Sequence, residues 1–250
     1  MEPSDHPAEM PPRTAGQFAT THWSTVVAAW DSTSPESRDA LERLCRTYWY
    51  PLYAFVRRKG HSPDDAQDLT QAFFERFLEK RFLKDVAPER GRFRSFLLAA
   101  LTHFLANEWD RAKAAKRGGG FQFISLDLTT LEDRYRSDAS IEESPERHYD
   151  RLWADAVMDH ALELLEKEYR GANKAAQFEG LADFLARPPD EGEYAAVGEQ
   201  LGLNSHAVAV AVSRLRERYR ALIRAEIADT VDGPEEVDAE LRYLIELVTQ

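Results

Sequence analysis

Four polar side chains recur on one face of a predicted helix in the first third of the chain. Asp64, Asp68, Gln71 and Glu75 are spaced at i, i+4, i+7 and i+11, so a helix places them in one stripe. Three carboxylates in a stripe are residue types that hold a divalent metal or act as general acid and base. No glycine-rich phosphate loop accompanies them, and acidic side chains near a helix N-terminus are favoured by the helix dipole alone. We therefore expect a solvated face or a docking surface for a basic partner, with no catalytic residue, metal site or cofactor.

A second group of side chains combines cations with aromatic rings. Residues 90–117 hold seven basic residues against two acidic ones, with aromatic residues between them. Cations can follow a phosphate backbone while exposed rings stack on unpaired bases. The alternative is that the rings belong to a core, and this alternative is preferred for Phe96 and Phe104. The predicted nucleic-acid contacts are Arg92, Phe93, Arg94, His103, Asn107, Trp109, Arg111 and Lys113.

A pair of helices with a short turn is predicted in the last quarter of the chain. Gly202 follows the first helix where a left-handed cap is favoured, and Asn204 or Ser205 can cap the second. This spacing is typical of a helix-turn-helix, although an ordinary amphipathic hairpin is the alternative. The second helix has an apolar stripe of Val208, Val212, Leu215, Tyr219 and Leu222, opposite the polar face that a major-groove helix requires. The predicted DNA contacts on that polar face are Ser205, His206, Val210, Ser213 and Arg214.

The elements that carry these side chains are predicted to be helices throughout. Ser62 is a natural N-cap, Pro63 suits the first helical position, and Asp65 completes a capping box. Pro51 is predicted to kink or break the preceding helix. A further helix begins near Phe93 and is predicted to end before the three glycines at 118–120. Strand signals are nearly absent, so the predicted fold class is all-α, with two helical domains joined by an acidic linker.

Shifts in composition divide the chain into five predicted regions. These are a disordered leader (1–19), a first helical domain (20–118), an acidic linker (119–147), a second helical domain with the helix-turn-helix (148–228) and an acidic C-terminal helical tail (229–250).

Composition and charge limit the classes of function. The chain has 250 residues and one cysteine, Cys45, so no internal disulfide or cysteine zinc cluster is expected, and a reducing, cytoplasmic location is favoured. No window approaches 18 consecutive apolar residues, and no membrane partner is expected. The net charge of -12 argues against nucleic acid. However, residues 125–146 (net -5) and 226–250 (net -7) account for all of it, which leaves the two basic segments available for phosphate.

Together, the three segments resemble the sigma-70 superfamily, specifically the compact extracytoplasmic-function type of RNA polymerase sigma factor. DDAQDLTQAFFERFL (64–78) is similar to that family's polymerase-docking helix. Residues 92–117 are similar to its promoter-melting and downstream-element helix, and residues 194–220 to its upstream-element helix-turn-helix. The resemblance covers roughly 20–118 and 148–228, and the order of the segments agrees with the family.

The resemblance implies a non-enzymatic bacterial subunit that recruits core RNA polymerase to promoters and directs transcription initiation. Its two domains would be a sigma region 2-like bundle and a sigma region 4-like helix-turn-helix. Its partners would be core polymerase and promoter DNA, as a duplex upstream element and a melted downstream element. Asp64, Asp68, Gln71 and Glu75 would engage a basic coiled-coil clamp on the polymerase. The acidic linker would follow the RNA exit path as a mimic of nucleic acid.

Two positions depart from the family pattern. The recognition helix usually carries Lys or Arg early, whereas Ala209, Val210 and Ala211 stand here, and Thr70 stands where an aliphatic residue is usual. The variant DLTQ-x-FF is similar to a subgroup associated with Ser/Thr protein kinases, in which a threonine near the docking helix is phosphorylated. Thr70 is therefore a candidate phosphorylation site, with a kinase or an anti-sigma factor as a candidate partner. A threonine that hydrogen-bonds its own preceding turn is the alternative.

Two other functions compete with the sigma-factor hypothesis. The first is a stand-alone helix-turn-helix transcriptional regulator with an N-terminal dimerisation or sensing domain. The second is a metal-dependent hydrolase built on the carboxylates of 64–75, for which complementary ligands are lacking. The acidic stripe discriminates against the regulator, because a simple regulator has no need of it.

Overall fold

The computed structural model describes residues 35–77, 92–112, 128–138, 143–231 and 233–249, and it describes side chains from 47 onward in the first range and up to 107 in the second. The helices are α1 (Pro35–Arg58), α2 (Pro63–Phe77), α3 (Phe93–Ala112), α4 (Leu128–Asp138), α5 (Pro145–Gly171), α6 (Ala175–Leu181), α7 (Glu193–Leu201), α8 (Ser205–Ala228) and α9 (Pro234–Val248), with a 3-10 turn at Ala182–Leu185. Within these ranges all regular structure is helical, which confirms the all-α prediction. None of the described helices is long and apolar enough to cross a membrane.

The centre of α1 is buried on every side. Residues 48–56 are all buried, and the helix continues through Pro51. The helix therefore does not break at Pro51, and the predicted kink stays a prediction. A proline inside a helix costs about 3 kcal/mol, but packing of a helix that is buried all round outweighs a local penalty of that size.

Helix α5 is the longest of the described helices and contacts both the first and the last of them. Its N-cap is Ser144, whose hydroxyl accepts a hydrogen bond from the Arg147 N–H, and Pro145 follows at the first position. It packs against α1, α8 and α9, so one continuous set of buried side chains extends from Tyr48 to Leu247. The division into two separate domains stays a prediction.

Part of the predicted acidic linker forms helix α4, which packs close to α1. Glu132 accepts hydrogen bonds from Arg57 Nε at 2.7 Å and Nη2 at 3.0 Å, and also from the Tyr53 hydroxyl. The hydrogen bonds from Arg57 hold the pKa of Glu132 below its ordinary value, although burial opposes them. This segment is therefore attached to the first helix by a paired carboxylate. The predicted leader and the glycines at 118–120 lie outside the described residues.

Candidate nucleic-acid and protein interfaces

The acidic stripe lies on the outer face of α2. The predicted capping box is present, with the Asp65 N–H 3.2 Å from Ser62 Oγ and that hydroxyl 2.7 Å from Asp65 Oδ2. Asp64 and Asp68 are exposed, whereas Gln71 and Glu75 are half-buried. Gln71 Nε2 donates to Glu75 Oε1 at 3.1 Å. Among the described residues, Asp64 and Asp68 in the first two turns therefore have no partner, whereas Glu75 in the last turns is bound by Gln71.

Aromatic contacts hold α2 in place behind this stripe. Phe74 stacks on Trp49 of α1 with ring centroids 5.3 Å apart, and Phe73 meets Phe104 of α3 edge-on at 5.8 Å. Such pairs contribute about 0.5–1.5 kcal/mol each beyond the area that they bury. The exposed carboxylates are therefore carried by a helix that is fixed on two sides.

Thr70 lies inside the core. Its side chain is fully buried, and Oγ1 donates to the Ala66 carbonyl oxygen at 2.7 Å. The sequence analysis placed Thr70 as a candidate phosphorylation site, with a threonine bonded to its own preceding turn as the alternative. The observed geometry is that of the alternative, because a kinase cannot reach this hydroxyl while α2 keeps its place.

Phe93 was predicted to contact nucleic acid but lies in the core. It is 2% exposed and meets Tyr48 edge-on with centroids 5.2 Å apart. A ring in this position cannot stack on a base, so the prediction for Phe93 is corrected. Phe104 is buried, as preferred, and Phe96 is half-buried against Phe77.

Arg94 was also predicted to contact nucleic acid, but its side chain is buried and fully engaged. It is 5% exposed, and its guanidinium is paired with Asp150 of α5 and Glu240 of α9. Burial opposes the charged form, but the hydrogen bonds that Arg94 donates to Glu240 and the charge of Asp150 together raise the pKa of Arg94. In this structure Arg94 is a cation shared between helices and is not a surface contact for phosphate.

Three other predicted contacts of the basic segment have described side chains. Arg92 is half-exposed and pairs with Glu240, with 2.8 Å between Nε and Oε2. His103 and Asn107 are exposed on α3. The side chains of Trp109 and Arg111 lie outside the described residues, as does all of Lys113.

A groove of about 530 Å³ runs between α3 and α5. Its lining residues are Arg94, Ser95, Leu98, Ala99, Thr102, His103, Ala106, Glu146 and Asp150. The two carboxylates on the α5 side repel phosphate, so the groove by itself is not a channel for a nucleic-acid backbone.

The predicted caps of the helix pair α7–α8 are present. Gly202 ends α7 with a φ of 67°, a left-handed conformation that favours glycine, and Asn204 Oδ1 caps α8 by accepting from the Ala207 N–H at 2.8 Å. The Leu203 N–H donates to the Gly198 carbonyl oxygen at 2.8 Å. A Cβ at Gly198 would lie 2.4 Å from the Leu203 carbonyl oxygen, so the turn approaches the helix too closely for a side chain at 198.

The two predicted faces of α8 are confirmed. Val208, Val212 and Leu215 are buried, and the half-buried Tyr219 donates from its hydroxyl to the Met158 carbonyl oxygen at 3.1 Å. The exposed side chains on the opposite face include the predicted DNA contacts Ser205, His206, Val210, Ser213 and Arg214. Among the described residues, Arg214 has no carboxylate within ion-pair distance, so its charge is available to a ligand.

Within the described ranges no three side chains of His, Cys, Asp or Glu come together as metal ligands. Comparison of the chain with protein-family models, with curated proteins and with solved structures finds no match in any of the three. What the chain does is therefore argued from its residues and their geometry.

Sequence patterns did not predict the buried partners of Arg94. Asp150 and Glu240 lie 56 and 146 residues along the chain from Arg94, and no local pattern joins groups so far apart. One signal was present for Glu240. It shares the buried stripe of α9 with Val237, Leu244 and Leu247, and an acidic residue in an apolar stripe indicates a buried partner.

Proposed function

We propose that the chain is an RNA polymerase sigma factor of the extracytoplasmic-function type, which recruits core polymerase to promoters and directs transcription initiation. The observation that carries the proposal is that one chain combines an exposed acidic stripe with a helix-turn-helix whose polar face is exposed. The resemblance of the three segments, in the family's order, supports the same function.

The acidic stripe is the proposed polymerase-docking surface. Asp64 and Asp68 are exposed and unpaired among the described residues, so a basic partner can meet both without displacing an existing contact. Charges placed in this way accelerate encounter and select the partner by complementarity. Gln71 and Glu75 would extend the surface toward the end of the helix.

Helix α8 is the proposed reader of duplex promoter DNA. Its N-terminal residues are capped and lie on the exposed side, as in helices that enter the major groove. Val210 is 37% exposed and offers an apolar contact for a thymine methyl group, and Arg214 offers a guanidinium. On α3, His103 and Asn107 are the described candidates for the melted strand, together with the predicted Trp109, Arg111 and Lys113.

The test is capture of core RNA polymerase by the purified chain. Asp64→Lys combined with Asp68→Lys should weaken capture at least about tenfold, which corresponds to roughly 1.4 kcal/mol. The circular dichroism spectrum should not change, because both side chains are exposed. Glu163→Lys combined with Glu179→Lys is the matched control, since these carboxylates are also exposed and the charge change is equal. Unchanged capture by the first variant would remove the docking assignment.

A stand-alone helix-turn-helix regulator is the second candidate. The observation that favours it is the continuous core through α1, α5 and α8, which suits a self-contained molecule. It predicts specific binding to duplex DNA without polymerase. A sigma factor predicts that specific promoter binding requires core polymerase, so one titration with and without polymerase separates the two.

A further inference from the structure

The C-terminal helix α9 lies against the beginning of α3 and the side of α5. Four of its side chains are buried, namely Val237, Glu240, Leu244 and Leu247. Three of them are apolar, but Glu240 is an acid and is only 1% exposed. A carboxylate in this position needs a cation, and two arginines at the start of α3 supply it.

Arg92, which precedes α3, and Arg94, which lies in its first turn, are both bound to this carboxylate. Arg94 pairs through Nε and places Nη2 3.4 Å from Glu240 Oε2, while Arg92 Nε lies 2.8 Å from the same oxygen. Tyr243 of α9 completes the contact. Its ring lies 4.6 Å from the Arg94 guanidinium, and its hydroxyl donates to Asp150 Oδ2 at 2.7 Å. The Glu240 carboxylate is thus the anion to which Arg92 and Arg94 both bind.

Stability alone does not account for this arrangement. Burying an ion pair costs desolvation, and well-packed apolar residues of similar volume often stabilise a protein as well or better. Besides this charged contact, α9 packs on α5 and α8 through its three buried apolar side chains, with Leu241 and Tyr243 partly buried beside them, and Asp238 forms an exposed ion pair with Arg224. The charged contact is the part of this docking that another anion can replace.

We propose that α9 is an intramolecular ligand that holds Arg92 and Arg94 and must leave before these arginines can bind nucleic-acid phosphate. This inference rests on the proposed function only for the identity of the competing ligand, the promoter strand. Arginine binds carboxylate and phosphate with the same planar fork, so the two anions compete for one group. Residues 234–249 carry five acids and one base, and this charge repels a phosphate backbone. Helix α9 and a nucleic-acid strand therefore cannot bind these arginines at the same time.

The experiment compares the affinity of full-length variants for a fluorescent single-stranded oligonucleotide. Glu240→Gln keeps the shape of the side chain and removes the charge that Arg92 and Arg94 share, while Asp150 remains a partner of Arg94. Glu246→Gln on the same helix is the matched control, because it changes the net charge equally at an exposed position. We expect Glu240→Gln to bind roughly tenfold more tightly than the wild type. This is the gain expected if α9 is docked in about nine of ten wild-type molecules, because only the undocked fraction can bind the oligonucleotide. The control should bind as the wild type does.

Salt dependence separates release of the arginines from a general loss of structure. Each additional phosphate contact to a single strand steepens the plot of log K against log salt by about 0.7. Because α9 leaves in both complexes, the wild type and Glu240→Gln should give nearly the same slope, whereas Arg92→Gln added to Glu240→Gln should make the slope shallower by about 0.7. No change of slope on loss of Arg92, or equal affinities for Glu240→Gln and Glu246→Gln, would overturn the proposal.

Two further measurements test the proposal even if Glu240→Gln fails to fold. Tyr243→Phe removes only the hydroxyl that binds Asp150 and should give a smaller gain in affinity in the same direction. In the wild type, the oligonucleotide should accelerate hydrogen exchange of the amides in 234–248, and unchanged exchange would contradict release of α9. Polymerase capture is a separate readout. If the chain captures polymerase but Glu240→Gln binds the oligonucleotide as the wild type does, only this inference is overturned. If the chain does not capture polymerase, the proposed function fails, and the comparison of DNA affinities still tests this inference.

Discussion

Gly198 is the position where one added methyl group should disturb the helix-turn-helix most. The residue lies inside α7 and is buried, and its carbonyl oxygen accepts the Leu203 N–H of the turn. A Cβ there would meet the Leu203 carbonyl oxygen at 2.4 Å and Val208 Cγ2 at 3.5 Å. The nearer atom belongs to the backbone, so the turn or the helix must move when Gly198 is replaced by Ala.

The size of the effect follows from two opposing contributions. Alanine is favoured over glycine inside a helix by up to about 1 kcal/mol. Overpacking against a backbone atom costs about 1–3 kcal/mol, and loss of the turn hydrogen bond costs about 0.5–1.5 kcal/mol more. We expect a net loss of about 1–3 kcal/mol in the free energy of unfolding. For a chain of this size the melting temperature should fall by roughly 2–12 °C.

The assay is thermal unfolding followed by circular dichroism. Gly171→Ala is the matched control, because Gly171 is also helical and a Cβ there has no atom within 4 Å. The control should melt at the wild-type temperature or slightly above it. Gly198→Ala melting with the control would refute the argument that the turn packs against the helix backbone at 198.

Arg214→Ala should weaken binding to duplex promoter DNA without changing the melting temperature, whereas Val212→Ala should cost about 1–2 kcal/mol of stability because it opens a cavity in the core. Thr70→Val should leave promoter activity equal in hosts with and without the candidate kinase, because the Thr70 hydroxyl is buried and bonded to its own helix. Glu132→Gln should remove a pH-dependent part of the stability. The pKa of Glu132 is lowered in the folded chain from an ordinary value of 4.5, so its contribution is complete above that pH and is lost as the pH falls through the folded pKa.

Each of these expectations has an opposite outcome. If Arg214→Ala and Val212→Ala both change only stability, the helix-turn-helix is structural and does not bind DNA. If activity requires the kinase and Thr70→Val abolishes it, α2 must open to expose the hydroxyl. If wild type and Glu132→Gln lose stability in parallel on acidification, the pair with Arg57 does not contribute to folding.

Local sequence rules predicted what depends on neighbours in the chain. The caps at Ser62, Asn204 and Gly202 and the two faces of α8 were all visible in the sequence, because a cap or a stripe needs only residues within one or two turns. The exposure of Asp64 and Asp68 followed from the same periodicity.

The structure decided whatever depends on residues far apart in sequence. Pro51 is tolerated because α1 is buried all round, and Phe93 is a core side chain because Tyr48 lies against it. Arg94 has a basic sequence context typical of a phosphate contact, yet Asp150 and Glu240 surround it in the fold. A helical pattern indicates which side of a helix is polar. Only the tertiary structure determines whether solvent or another helix lies on that side. The reason is that this depends on packing between segments that are far apart in the sequence.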